Sequence, residues 1–525
     1  ATTREPEGRS GPFPDGAKAV WEMTETTAEA LLNVRVPMRD GTELATHVYL
    51  PAGGGPFPVV LLRTPYNAIT GGTDLLDGPQ RGFASVRQDV RGRHLSDGEW
   101  MPWFSEKNDG EDTLQWIAAQ AWCDGRIVMS GGSYLAATQL AAAMSGHPAL
   151  KGITPALFGS EFYHTCYRGG AFRLAWQTNW TLEPRQVADQ DAIRAHLPLR
   201  STDVYCGSAT NAFWRGALDH PRPDGFWKAS SLRENVAAIT APALIRTGWF
   251  DLFVSDVFDL FTALREHGGS EAARRGTRIQ VGPWPHCTNQ RVVGEVDFGE
   301  AAVDEGYADA GRAFMKDCIN GKTPSGDAPV RIFVMGPNVW RDEEEWPPAR
   351  TVWTEKFLSS GGHANTADGD GALGGVPRGP QDHYAYDPAN PVPTAGGAWD
   401  FANVGPQDQR GIEQRPDVLV YTSEEFSADT EITGIITVVL FAASDAPDTD
   451  FTAKIVAVHP DGRALGVTDG IVRARYRNGE ESLLRPGEIH EYSIVCNPTS
   501  WVFSRGHRLR LEIARKDPGR RIAND

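Results

Sequence analysis

The chain has 525 residues, against roughly 100–200 for an ordinary domain, so a single compact core is excluded and two or three domains are expected. With 40% hydrophobic and 23% charged residues, including 16 Trp, 22 Phe and 12 Tyr, it carries enough large apolar side chain to build real cores, which excludes a mainly disordered protein. Lys plus Arg number 51 and Asp plus Glu 68, leaving −17, an acidic surface that repels a phosphate backbone and excludes nucleic acid as a partner.

The first ten residues, Ala-Thr-Thr-Arg-Glu-Pro-Glu-Gly-Arg-Ser, lack the basic-then-apolar pattern of a secretory signal, and no apolar stretch approaches the ~18 residues of a membrane span. A soluble, cytoplasmic protein with no membrane partner is expected, and homo-oligomerisation is left open. Residues 32–36 and 43–50 read as strands about the turn Arg39-Asp40-Gly41, and residues 58–63 as a buried strand. A helix is expected over 112–121, with Leu114, Ile117 and Ala118 at helical spacing. A strand over 126–129 then runs into Gly131-Gly132-Ser133 and an Ala-rich helix over 135–144. Strands alternating with helices predict a parallel, helix-covered sheet. From about 160 to 238 the strand rhythm gives way to aromatic and charged segments, which read as a mainly helical insertion. The α/β pattern resumes with a strand at 243–247, a helix at 254–266 and a strand at 278–281. Residues 361–380, rich in Gly, Asp and Ala, read as an exposed loop or linker. Closely spaced strands at 435–440, 452–458 and 508–513, parted by turns such as Pro460-Asp461-Gly462, predict a β-sandwich or jelly roll.

Chemistry concentrates at the junction Ile127-Val128-Met129-Ser130-Gly131-Gly132-Ser133-Tyr134. A strand, a glycine-flanked Ser and a small-residue helix in that order form a nucleophile elbow, in which a tight turn lifts the hydroxyl above the sheet beside a helix N-terminus. The chain departs from the usual G-x-S-x-G in its last place, and alone such a motif is more often a plain turn. The acid and the base are expected in that order on loops after later strands. Asp251 follows the strand at 243–247, and His286 the strand at 278–281, both at the edge where open α/β sheets place their sites. Asp251 alone would read as a helix cap and His286 as one of 13 histidines; together with Ser133 they read as a triad. Ser133 is the nucleophile, His286 the base that takes its proton, and Asp251 the group that orients the imidazole. The backbone N–H of Tyr134 supplies one oxyanion donor.

The segments Arg63-Thr64-Pro65-Tyr66-Asn67, Gln88-Asp89-Val90-Arg91-Gly92-Arg93, Trp122-Cys123-Asp124-Gly125-Arg126, Gly131-Gly132-Ser133-Tyr134-Leu135 and Gly282-Pro283-Trp284-Pro285-His286 resemble the signatures of the CocE/NonD hydrolases. These are cocaine-esterase-like enzymes related to Xaa-Pro dipeptidyl peptidases and α-amino-acid ester hydrolases. The resemblance continues through Trp340-Arg341-Asp342-Glu343, Tyr386-Asp387-Pro388 and His459-Pro460-Asp461-Gly462, covering nearly the whole chain. It implies an α/β-hydrolase core in two parts, 1–159 and 239–350, a helical cap at 160–238 between them and a C-terminal β jelly roll at 351–525. It also implies a second oxyanion donor, the hydroxyl of Tyr66, a residue that by itself reads as packing after Pro65.

The same resemblance bears on substrate. Relatives acting on α-amino-acid esters carry two acidic residues shortly after the catalytic Asp, whereas this chain has Leu252-Phe253-Val254, which favours an apolar acyl group over an ammonium. Phe253 matches an acyl-pocket aromatic, and Trp176 in the cap is a second candidate wall, although aromatics at helical spacing are commonly ordinary core. Asn179-Trp180-Thr181 is a glycosylation sequon by pattern only. Asp368-Gly369-Asp370-Gly371 lacks the ligand spacing of a calcium loop, and Asp448 and Asp450 read as turn residues. No metal and no cofactor are called for. An ester hydrolase working through an acyl-enzyme on a small-molecule substrate is the expectation; an amidase or dipeptidyl peptidase, an acyltransferase, or an inert carbohydrate-binding protein are the alternatives.

Overall fold

The computed structural model describes residues 27–70, 77–182, 189–207, 210–228, 230–287, 289–324, 328–398 and 403–515. Ten strands form the principal sheet: β1 (Thr27–Pro37), β2 (Glu43–Pro51), β3 (Phe57–Thr64), β4 (Ala84–Asp89), β5 (Cys123–Gly132), β6 (Leu150–Ala156), β7 (Leu244–Gly248), β8 (Arg278–Gly282), β9 (Val330–Val334) and β10 (Val339–Glu343). Their spatial order is β1-β2-β4-β3-β5-β6-β7-β8-β9-β10. Pairing is parallel from β4 through β9 and antiparallel at β1/β2, β2/β4 and β9/β10. This is the α/β-hydrolase fold. A parallel sheet covered on both faces must bury every strand, and Val59, Leu61, Ile127, Val128 and Met129 are all inaccessible to solvent. The chain runs from β3 outward to β4 and then returns to place β5 on the other side of β3. That reversal opens a crevice at the strands' C-terminal ends, where β5 delivers Ser133.

The helices that matter to the site are α1 (Glu106–Ala118), α2 (Tyr134–Ala143), α3 (Leu174–Trp180), α4 (Ala212–Asp219), α5 (Val254–His267) and α6 (Tyr307–Ile319). The helix expected at 112–121 is thus α1, which begins six residues earlier. Its first turn carries Glu106 and Asp109, charges that hide the apolar period yet are buried, because Arg63 reaches Glu106 (2.7 Å) and Arg91 reaches Asp109 (2.6 Å). Gly110 lets α1 press against α2: a Cβ there would come 2.7 Å from that of Ala142.

Between β6 and β7 the chain makes the cap, with α3, α4 and several shorter helices, as expected. A two-residue hairpin, Tyr167–Arg168 with Ala171–Phe172, is the departure from the helical reading. It turns on Gly169 and Gly170, both at positive φ, and leans on the C-terminal domain, where Arg473 N–H donates to the Gly169 carbonyl (2.7 Å).

The C-terminal domain is a β jelly roll. Its larger sheet runs Phe357–Ser359, Ala372–Gly374, Val418–Glu425, Arg508–Ala514, Asp450–Val458, Ala464–Arg473, and two strand pairs, Thr430–Gly434 with Thr499–Phe503 and Thr437–Ala442 with His490–Val495, complete the domain. Two expectations are corrected here. The segment 361–380 holds the strand Ala372–Gly374, too short to show a period, and Asp370 accepts N–H bonds from Gly361 and His363. Asp448 and Asp450 are buried ion-pair partners rather than turn formers: Arg473 and Arg475 both reach Asp448 at 2.6 Å, and Arg473 reaches Asp450 at 3.4 Å.

Candidate active site

Ser133 stands between the end of β5 and the start of α2 with φ 56° and ψ −125°, left-handed backbone that costs a non-glycine residue about 1–3 kcal/mol. The turn is held by Ser133 N–H donating to the Ala156 carbonyl at 2.8 Å. Gly131, at φ 134°, is required bare, because a Cβ on it would lie 2.5 Å from the Cβ of Leu135, the residue in the last place of the G-x-S-x-G pattern. The elbow therefore closes with its small residue on the strand side and a leucine on the helix side.

The loops after β7 and β8 carry the other two groups and are tied to each other. Trp249 N–H donates to the Gly282 carbonyl (2.9 Å) and Phe250 N–H to that of Trp284 (3.0 Å). Gly248 permits this approach, since a Cβ there would fall 2.0 Å from the Trp284 carbonyl oxygen. Asp251, fully buried, accepts Phe253 N–H on Oδ1 (2.7 Å) and meets His286 Nδ1 with Oδ2 (2.7 Å). His286 Nε2 lies 3.0 Å from Ser133 Oγ. Asp251, His286 and Ser133 thus form one hydrogen-bonded series, the two contacts lying within the reach required of a nucleophile and base.

Phe253 and Trp176 both pack on the imidazole, with ring centroids 5.6 and 5.9 Å from that of His286. Phe158 extends this wall from Phe253 (5.2 Å). Trp180, at the end of α3, lies parallel to Trp176 (6.4 Å, 4°) and stacks on Trp103 (5.2 Å, 11°) and Tyr134 (6.0 Å, 28°). Tyr66, 44% exposed on the loop after β3, meets this panel through its hydroxyl, which accepts the Trp180 indole N–H at 3.2 Å. Trp180 and Phe158 were not singled out in the sequence, yet Trp176 and Trp180 stand four residues apart on one helix face, a spacing that marks a shared surface.

Tyr134 is anchored on its far side. Its phenol donates to Glu106 Oε1 (2.8 Å) and accepts Trp103 N–H (3.2 Å), and burial raises it well above the ordinary phenol range. Burial likewise raises Glu106 against the pull of Arg63. This network fixes the side chain of the residue that follows Ser133 in the chain. Among the described residues no group of three or more His, Cys, Asp and Glu is arranged to hold a metal ion.

Cap and core are also joined by His164, in the cap's first helical turn, and Asp256 in the first turn of α5. Burial alone would lower the imidazole, but Asp256 at Nδ1, aided by Glu161, outweighs it and holds the pKa above its ordinary 6.5. A raised histidine pKa means stabilisation that is complete below the unfolded pKa and lost as pH rises through the folded one. The ring is 39% exposed, so screening limits the pair to below about 1 kcal/mol. Asp256→Asn is expected to lower Tm at pH 6 and to leave it nearly unchanged at pH 9; equal shifts at both, in paired thermal melts, would contradict this.

This scaffold, with Ser, His and Asp in hydrogen-bonded series above the C-terminal edge of the sheet, is that of a serine hydrolase. The family model for X-Pro dipeptidyl-peptidase (S15 family) matches residues 40–288, and that for the X-Pro dipeptidyl-peptidase C-terminal non-catalytic domain matches residues 323–523. The chain is 38% identical over 524 residues to cocaine esterase of Rhodococcus sp. (strain MB1 Bresler), with 92% of this chain and 90% of that one covered. An α-amino-acid ester hydrolase has a similar structure, with TM-score 0.78 at 25% identity over 96% of this chain and 92% of that one. An aminopeptidase from a marine sediment Thaumarchaeota archaeon shares the fold, with TM-score 0.80 at 24% identity over 97% and 92%. The chain belongs to the CocE/NonD family of serine hydrolases. No helix among the described residues is long and apolar enough to cross a membrane.

Proposed function

We propose that this enzyme cleaves a carboxylic ester of an apolar acid through an acyl-enzyme on Ser133. The observation that carries the proposal is the series Asp251–His286–Ser133, with contacts of 2.7 and 3.0 Å. Ser133 Oγ attacks the acyl carbon as His286 Nε2 takes the hydroxyl proton, and Asp251 steadies the imidazolium that results. Negative charge on the tetrahedral oxygen is received by the Tyr134 backbone N–H and the Tyr66 hydroxyl. Collapse expels the alcohol, which leaves with the proton held on Nε2. Water, deprotonated by the same nitrogen, then releases the acid and restores Ser133.

The acyl group lies against Phe253 and Trp176, both almost wholly buried, with Phe158 behind. Leu252-Phe253-Val254 offers an ammonium no carboxylate at that position, which favours a neutral acyl chain. The second reading, a peptidase or amidase with the same residues, draws on the dipeptidyl-peptidase descriptions of the two matching family models. A matched panel separates them: p-nitrophenyl esters and p-nitroanilides of the same acyl groups, each with and without a free α-amine. Faster turnover of amine-free aromatic or aliphatic esters is expected. Preference for anilides bearing a free N-terminal amine would replace esterase by peptidase.

A cytoplasmic setting is part of this proposal, supported by six cysteines that are all free thiols.

A further inference from the structure

Tyr66 is a demanding place for an oxyanion donor. Its backbone is well fixed, by Tyr66 N–H donating to Thr64 Oγ1 (3.0 Å) and by the Pro65 carbonyl receiving Arg93 Nε (3.1 Å) and contacting His94 Nε2 (3.0 Å). The ring, however, leaves the backbone on two rotatable bonds into a site where nearly half of the residue is exposed. A donor displaced by about 1 Å from a reacting oxygen loses much of its value.

Trp180 answers this from the cap. Its indole N–H is a donor only, so the 3.2 Å contact with Tyr66 Oη occupies a lone pair of the phenol and leaves the phenolic O–H to act as donor in another direction. The indole is itself clamped: Trp103 and Tyr134 stack on it, Trp176 lies parallel, and Trp100 meets it edge-on at 5.5 Å. Arg93, which holds the Pro65 carbonyl, also lies 4.5 Å over the Trp100 ring, so one guanidinium braces both the Tyr66 loop and the panel behind Trp180. A hydrogen bond received by the phenol oxygen also polarises its own O–H and strengthens it as a donor.

We propose that Trp180 is the positioning residue of the oxyanion donor Tyr66, and that through it the cap helix α3 completes the oxyanion hole. The inference rests on the reading of Tyr66 as that donor, so the two are tested together. Trp180→Phe keeps a ring in the stack and removes only the N–H. With a p-nitrophenyl ester it is expected to lower kcat by about tenfold, the worth of one such hydrogen bond, with KM within about twofold. The Ki of a boronic acid that forms a tetrahedral adduct on serine should rise by a similar factor. Tyr66→Phe is expected to lower kcat by roughly a hundredfold, and in that background Trp180→Phe should change kcat no further. Incorporation of 3-benzothienylalanine at position 180, with sulfur in place of N–H at nearly constant shape, should reproduce the loss and excludes repacking as its cause. Unchanged kcat in either position-180 variant, or an equal loss with and without the Tyr66 hydroxyl, would overturn the positioning role. Full activity of Tyr66→Phe would instead remove the oxyanion reading itself.

Discussion

Ser133→Ala is expected to lower kcat for a p-nitrophenyl ester by roughly a millionfold, leaving only what the oxyanion donors and substrate binding contribute without a nucleophile. The side chain removed is small, and among the described residues its hydroxyl meets His286 Nε2. Alanine accepts the same left-handed backbone at a cost like that already carried by serine, and the Ser133 N–H bond to Ala156 is untouched. Stability should therefore be preserved, which circular dichroism melts check beside the kinetics. A variant retaining a tenth of the activity would place the chemistry on another group.

Asp251→Asn is expected to cost about ten-thousandfold in kcat with little change in KM. The carboxylate is fully buried and accepts two bonds, Phe253 N–H on one oxygen and His286 Nδ1–H on the other. An amide can keep the first. At the second position its NH₂ donates to Nδ1, which forces the imidazole proton onto Nε2 and turns the base into a donor facing Ser133. Solvent cannot repair this, because the position is closed to water. A loss of less than tenfold would mean that another group orients the imidazole.

The series Asp251–His286–Ser133 was legible in the sequence through the order of its members and their places after strands, although Asp251 and His286 taken singly read otherwise. Ser133 is preceded by two glycines, of which the turn requires Gly131, while Asp251 and His286 follow strongly apolar strands in the order the fold demands. Phe253 was named only through the family resemblance, and Trp176 only as a candidate wall in the cap, since an aromatic at helical spacing reads equally as core. Glu106 was not, since a buried acid four decades of sequence from Arg63 looks like a solvated helix face until the sheet brings the two together. The same holds for Trp180 and Tyr66, 114 residues apart. Asp448 looked like a turn residue because its partners, Arg473 and Arg475, lie on the far side of a hairpin. Local chemistry and strand order are written along the chain, whereas ion pairs and ring stacks between distant segments appear only after folding.

Acylation of Ser133 itself is most directly observed by mass spectrometry. The enzyme is mixed with a p-nitrophenyl ester, quenched in acid within the first turnovers, digested and mapped. One acyl group per chain, on the peptide bearing Ser133 and absent from Ser133→Ala, is the result expected. Rapid ester turnover with no adduct on that serine, or an adduct on a different residue, would contradict it.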